Sequence, residues 1–220
     1  MPTTSRVGSI NLGEHVNRDI YVLGSGPTGD YIQPRFFDGK IVIATNLVAE
    51  RRGLYDTDAK VITHSHYHSD IYPLADKYPN HLFYAPEGDQ GFAGKPERLL
   101  PNIHFYRHPP TKFDFSVEES VFTGGFIVGS SSIHGSMHIA AHMGATTIIL
   151  VGADCGMLDG HANMAGYDSG NLVNDDPRMW LDRWEQHLRM VKAWLQDNYD
   201  VAIHSLNPFL NFNLEGHTWS

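Results

Sequence analysis

A chain of 220 residues, 41% of them apolar, can bury a substantial core and needs no more than one domain, so residues 1–220 are read as a single unit. A formal charge of -9 at pH 7 argues against broad attraction to nucleic acid or anionic lipid and favours a small-molecule partner. Cys155 alone cannot form an internal disulfide, and no apolar run is long enough for a signal-peptide core or a membrane span, so the expected location is the reducing cytoplasm.

Residues 1–17 carry no clear periodicity. Residues 19–23 (DIYVL) then read as a short buried strand that runs into a tight turn at Gly24, Ser25, Gly26, Pro27 and Thr28. A second β-rich run over 40–45 meets Asn46, and a third over 59–63 meets His64. Weaker strands at 82–85 and 103–106 flank a Gly/Pro-rich loop. Thr123, Gly124 and Gly125 precede a helical stretch from about 129 to 143, which Gly144 closes before a strand over 148–151. Asp176 and Pro177 look like an N-cap followed by proline at the first helical position. They open a helix to about residue 196 whose buried stripe is Leu181, Trp184, Leu188, Val191 and Leu195. The last strand spans 201–204. Short apolar strands separated by crossover-length connections predict an α/β fold, a Rossmann-like doubly wound and mostly parallel sheet with helices on both faces.

Open α/β sheets bind ligands outside the carboxyl ends of their strands. The residues at those ends here are Gly24 to Thr28, Asn46, His64, Thr123 to Gly125, Asp154 and Asn207. Glycine turns let main-chain N–H groups approach phosphate oxygens, and a helix start adds its positive dipole end. The first turn matches neither the dinucleotide fingerprint nor a Walker loop, since Pro27 and Thr28 break the former and no Gly-Lys-Ser/Thr follows.

In combination, the G-S-G-P-T turn after a strand, Asn46 after the next, TGG before a small-residue helix and the segment GATTIILVGAD resemble the bacterial sialyltransferases. They also resemble the MptE-like 6-hydroxymethylpterin diphosphokinases. The resemblance covers the first three strands and roughly residues 120–160. It implies a nucleotide or nucleotide-sugar donor whose phosphates lie against Gly24, Ser25, Gly26, Pro27 and Thr28, with Asn46, His64 and Thr123 to Gly125 completing the pocket. It further implies that Asp154 accepts from a ribose or helps to hold magnesium, the latter if the chain is a diphosphokinase using ATP. Asn46 favours the transferase branch, in which a sugar moves to an acceptor hydroxyl. Cys155, Gly156 and Met157 stand where the sialyltransferases carry phosphate-gripping tyrosines. His161, as base, and Tyr167 are the nearest counterparts of the remaining roles.

Two other classes compete. His64, His66, His68 and Asp70 form a histidine-rich run after a strand, as in metallo-β-lactamase-type hydrolases, but His68 and Ser69 occupy positions where that motif carries aspartate and histidine. His134, His138, Asp154 and His204 would be the later ligands. The helical spacing of His134, His138 and His142 reads first as a solvated face. Arg51 with Arg52, and Arg107 with His108, are pairs that could neutralise a diphosphate and are otherwise surface charge. Asp175 with Asp176 reads as a helix start. A non-catalytic nucleotide-binding protein is the remaining alternative.

Overall fold

The computed structural model describes residues 18–87, 98–106, 131–167 and 177–207. Among the described residues seven strands form one sheet: β1 (Arg18–Leu23), β2 (Ile41–Thr45), β3 (Lys60–His64), β4 (Leu82–Pro86), β5 (Ile103–Tyr106), β6 (Ala145–Val151) and β7 (Ala202–Leu206). The order is β5-β4-β3-β2-β1-β6-β7, and every neighbouring pair is parallel. The helices are α1 (Val48–Arg51), α2 (His68–Lys77), α3 (Ser132–His142) and α4 (Pro177–Tyr199).

The strand sequences explain why both faces are covered. All five residues of β2, IVIAT, are buried, the continuous apolar pattern of a strand between two layers. Alternation then divides the core. Ile20, Val22, Ile41, Ile43, Ile148 and Leu150 pack with Met137 and Ala140 of α3 and with Leu188, Val191 and Leu195 of α4. Leu23, Val42, Ala44, Val61 and Phe83 pack on the opposite face with Val48 and Ala49 of α1 and with Ile71 and Leu74 of α2. The chain steps outward from β1 to β5, then returns to lay β6 on the other side of β1. The strand order therefore reverses between β1 and β6, where doubly wound sheets open a crevice.

The α/β reading holds, and the strands lie where the apolar runs put them. Two local readings do not hold. The histidine-rich run after β3 does not stay at the strand tip as one ligand set, because His68 and Asp70 belong to α2 (His68–Lys77). His134 and His138 do not lie on a solvated face: they are 1% and 6% exposed, in the layer that α4 closes over α3. Among the described residues no helix is long and apolar enough to cross a membrane. Thr123, Gly124, Gly125, Arg107, His108, Asp175 and Asp176 lie outside the described residues.

Candidate functional site

At the strand-order switch the turns after β1 and β6 are locked together. Gly24 N–H donates to the Val151 carbonyl at 2.8 Å, and Gly26 N–H to the Gly152 carbonyl at 2.7 Å. The contact is too close for side chains: a Cβ on Gly26 would lie 2.5 Å from Asp154 Oδ2, and one on Gly152, where φ is +61°, would lie 2.7 Å from the Gly24 carbonyl oxygen. Thr28 completes the tie. Its main-chain N–H donates to Asp154 Oδ2 at 2.8 Å, and its hydroxyl donates to Oδ1. Asp154 is 2% exposed. Burial lifts its carboxyl above the ordinary aspartate range, and the two Thr28 bonds pull it partly back.

The sequence suggested that the N–H groups of this turn face phosphate. Those of Gly24, Gly26 and Thr28 instead donate to the β6 turn, and Pro27 has none. The chain after β6 also folds back over the first turn. Met164 N–H donates to the Ser25 carbonyl at 2.7 Å, and Ser25 Oγ donates to Asn163 Oδ1 at 3.2 Å. Ala165 N–H reaches Asp30 Oδ2 at 2.7 Å, and Arg52 holds the other oxygen of Asp30 at 3.1 Å, so Arg52 is bound to a structural partner.

Asn46 occupies the next strand tip. Its φ of +49° is a left-handed conformation that asparagine tolerates better than most side chains, and its N–H donates to the His64 carbonyl at 2.8 Å. Ser132 Oγ donates to Asn46 Oδ1 at 3.0 Å, which turns the amide NH2 toward Tyr167, whose hydroxyl is 3.5 Å from Nδ2. Ser132 is the first residue of α3, and the preceding Ser131 accepts from Ile133 N–H as its cap. A Cβ on Gly24 would meet Ile133 Cδ1 at 2.6 Å. The N-terminus of α3, with its positive dipole end, therefore stands over the tips of β1 and β2.

His64 lies beneath this layer, fully buried. Its Nδ1 is 3.1 Å from the Ser132 carbonyl and 2.9 Å from Ser136 Oγ, and its Nε2 is 2.7 Å from the Tyr106 hydroxyl. Burial lowers its pKa to about 4, so it is neutral at pH 7 and braces the start of α3.

No family model matches this sequence, and no curated protein matches it either.

His161 is exposed and ends a tight turn, Leu158–His161, whose central residues Asp159 and Gly160 have φ of +51° and +80°. Asn207 is 4% exposed at the end of β7. Of the histidines proposed as metal ligands, His64, His68 and His138 are held by other partners and His204 lies apart, while the rings of His64 and His66 lie edge to face 5.0 Å apart. His68 Nε2 is 2.8 Å from the Pro86 carbonyl, and His138 Nε2 is 2.7 Å from the Tyr199 hydroxyl. His204 on β7 is separated from His64 on β3 by β2, β1 and β6, roughly 19 Å across the sheet. Among the described residues no three His, Cys, Asp or Glu side chains form a group suited to a metal ion. Ser132 is legible in the sequence as a small residue that allows close approach of this helix, but not as the partner of Asn46.

Proposed function

We propose that this protein transfers a group, most simply a sugar, from a nucleotide-linked donor to an acceptor hydroxyl at the β1–β6 switch. The observation that carries the reading is the meeting, at one strand-order reversal, of the glycine turn of β1, the Asp154 turn of β6, the Asn46 amide and the N-terminus of α3. That combination suits an anionic, polar ligand. The α3 dipole and the Asn46 NH2 supply positive potential where a donor phosphate would sit and where negative charge grows as the phosphate departs. The locked turns hold these groups in place before the ligand arrives, so little reorganisation is needed during reaction.

Asn46, the residue that favours the transferase branch of the resemblance, supports the sugar over the diphosphoryl group. A magnesium-dependent diphosphokinase would need a carboxylate able to turn to the ion, whereas both oxygens of Asp154 accept from Thr28 and the side chain is 2% exposed. These residues do not fit magnesium, and no step is assigned to it. The same bonds and burial leave Asp154 unsuited to the ribose contact that the resemblance implies, and it acts instead as the clamp that fixes the turn after β1.

A thermal-shift screen against nucleoside mono-, di- and triphosphates and nucleotide sugars tests the reading. A ligand at 100 times its Kd stabilises the folded state by about 2.7 kcal/mol, which raises the midpoint measurably. A shift with at least one nucleotide is expected. No shift across the panel at millimolar concentration would remove the proposal, and a shift without turnover of any nucleotide sugar would favour the non-catalytic alternative.

A further inference from the structure

The turn from β3 into α2 carries the broken metal motif of His64, His66 and His68, and the proposed nucleotide site leaves it without a task. The strand register places it beside that site. Thr45 pairs with His64, so the next residues, Asn46 and Ser65, are neighbours across the β2–β3 seam, about 5 Å apart along the hydrogen-bonding direction. Ser65 Oγ donates to Asp70 Oδ2 at 3.3 Å and accepts from Tyr67 N–H at 3.0 Å. The Asp70 carboxylate is thereby held at the first turn of α2, close to the tip that carries Asn46.

Tyr167 closes the other side, with its hydroxyl 3.5 Å from Asn46 Nδ2. Burial raises the Tyr167 phenol first and the Asn46 hydrogen bond lowers it; Asp70 and Tyr67 raise it and Arg51 opposes them, so the side chains of Asp70, Tyr67 and Arg51 lie within electrostatic reach of it. The start of α2 also breaks a local preference. Its N-cap position favours Ser, Thr, Asp or Asn, yet it holds Tyr67, whose side chain caps nothing and which is 36% exposed. An aspartate in a first helical turn is favourable on dipole grounds alone. An exposed aromatic at the cap is not, and departures from local consistency concentrate at functional sites.

We propose that the β3–α2 turn is the acceptor side of the site, that it takes a hydroxyl-rich ligand of the carbohydrate class, and that Asp70 is the base for the attacking hydroxyl. The inference rests on the nucleotide-transferase reading. The Tyr67 ring offers an apolar face to the C–H side of a sugar. Asp70 accepts from hydroxyl groups, while Arg51 donates to them. In the step itself the acceptor O–H proton passes to the Asp70 carboxylate as the acceptor oxygen forms its bond to the anomeric carbon of a nucleotide-sugar donor. The bond from that carbon to the phosphate oxygen breaks, and its electron pair leaves with the nucleotide. His161, exposed on its own turn, has no part in the proton transfer.

The test uses the full chain, a panel of UDP-, GDP- and CMP-linked sugars as donors, and lactose and simple glycosides as acceptors, with released nucleotide as the readout. Asp70→Asn is expected to keep donor affinity within about twofold and its thermal midpoint close to wild type, and to lose 100-fold or more in transfer rate, the usual contribution of a positioned base. Asp70→Glu should recover part of the loss. Tyr67→Ala should raise the acceptor KM at least fivefold and leave donor affinity unchanged. Wild-type transfer in Asp70→Asn, or its survival there alongside loss in His161→Ala, would overturn the assignment while leaving the nucleotide reading intact. If the wild-type chain binds none of these donors, the nucleotide reading fails and this inference fails with it.

Discussion

Thr28 and Asp154 join the tips of β1 and β6 across the strand-order switch: the main-chain N–H of Thr28 lies 2.8 Å from one carboxylate oxygen, and its hydroxyl donates to the other. The two residues are 126 positions apart in sequence, so this contact depends on the whole sheet being assembled. Asp154→Asn would set an amide NH2 against one of the Thr28 donors. It should cost about 1–3 kcal/mol, the usual penalty for an unsatisfied buried polar group, read as a fall in the urea midpoint. An unchanged midpoint would mean that the clamp contributes nothing.

The same carboxylate predicts a pH effect. Its folded-state pKa is raised, so the folded protein holds that proton more tightly than the unfolded chain does, and ionisation is costlier when folded. Its contribution therefore declines as pH rises from the ordinary aspartate range toward the raised folded value, and the penalty persists at neutral pH. The stability difference between wild type and Asp154→Asn should accordingly be larger in mild acid than at pH 7. Urea midpoints of both proteins across that range check the sign.

Close packing of the two turns gives a sharper contrast. Gly26→Ala drives a Cβ to within 2.6 Å of the Gly152 carbonyl oxygen, and Gly152→Ala does the same toward Gly24 from a left-handed backbone. Each should cost about 2 kcal/mol or more. Gly29→Ala meets nothing nearer than Met164 Cε at 4.0 Å and should change stability by no more than about 0.5 kcal/mol. Equal midpoints for all three variants would contradict the turn-on-turn geometry.

His64 predicts acid sensitivity of the opposite sign. Burial lowers its folded pKa from 6.5 to about 4, so its neutral form is the one the fold accepts. Stability is complete above pH 6.5 and is lost as pH falls toward 4, by up to about 3 kcal/mol for this residue. His134, lowered to about 3 by burial and by His187, extends the loss further. His64→Gln should flatten the part of the slope above pH 4. Tyr106→Phe, which removes the hydroxyl 2.7 Å from Nε2, should cost about 1–3 kcal/mol at pH 7. A pH slope identical in wild type and His64→Gln would remove this account of the residue.

The strands were legible because burial on both faces writes itself as short runs of Ile, Val and Ala, and the glycine turns mark where those runs stop. The long helix α4 was legible from the stripe of Leu181, Trp184, Leu188, Val191 and Leu195, of which all but the half-buried Trp184 are buried. What escaped depended on which neighbour each polar group meets. The histidines of the β3–α2 segment look like ligands by type, yet His64 and His68 bond to a serine, a tyrosine and main-chain carbonyls from other elements. Likewise, the sequence places glycines at the crevice but cannot tell whether their N–H groups face a ligand or the adjacent turn. Here those of Gly24 and Gly26 face the turn. The α3 histidines were misjudged because i, i+4 spacing defines a face without saying what covers it, and α4 does.

Isothermal titration of nucleoside phosphates and nucleotide sugars into wild type and Asn46→Ala tests the central claim most directly, because the Asn46 amide faces the proposed site while its loss leaves the Thr28–Asp154 clamp untouched. Saturable binding to the wild-type chain by at least one ligand is expected, weakened tenfold or more in Asn46→Ala, as suits a lost hydrogen bond to a charged group. Binding of equal strength in both proteins would place the ligand away from the switch, and absence of binding to either would contradict the nucleotide site altogether.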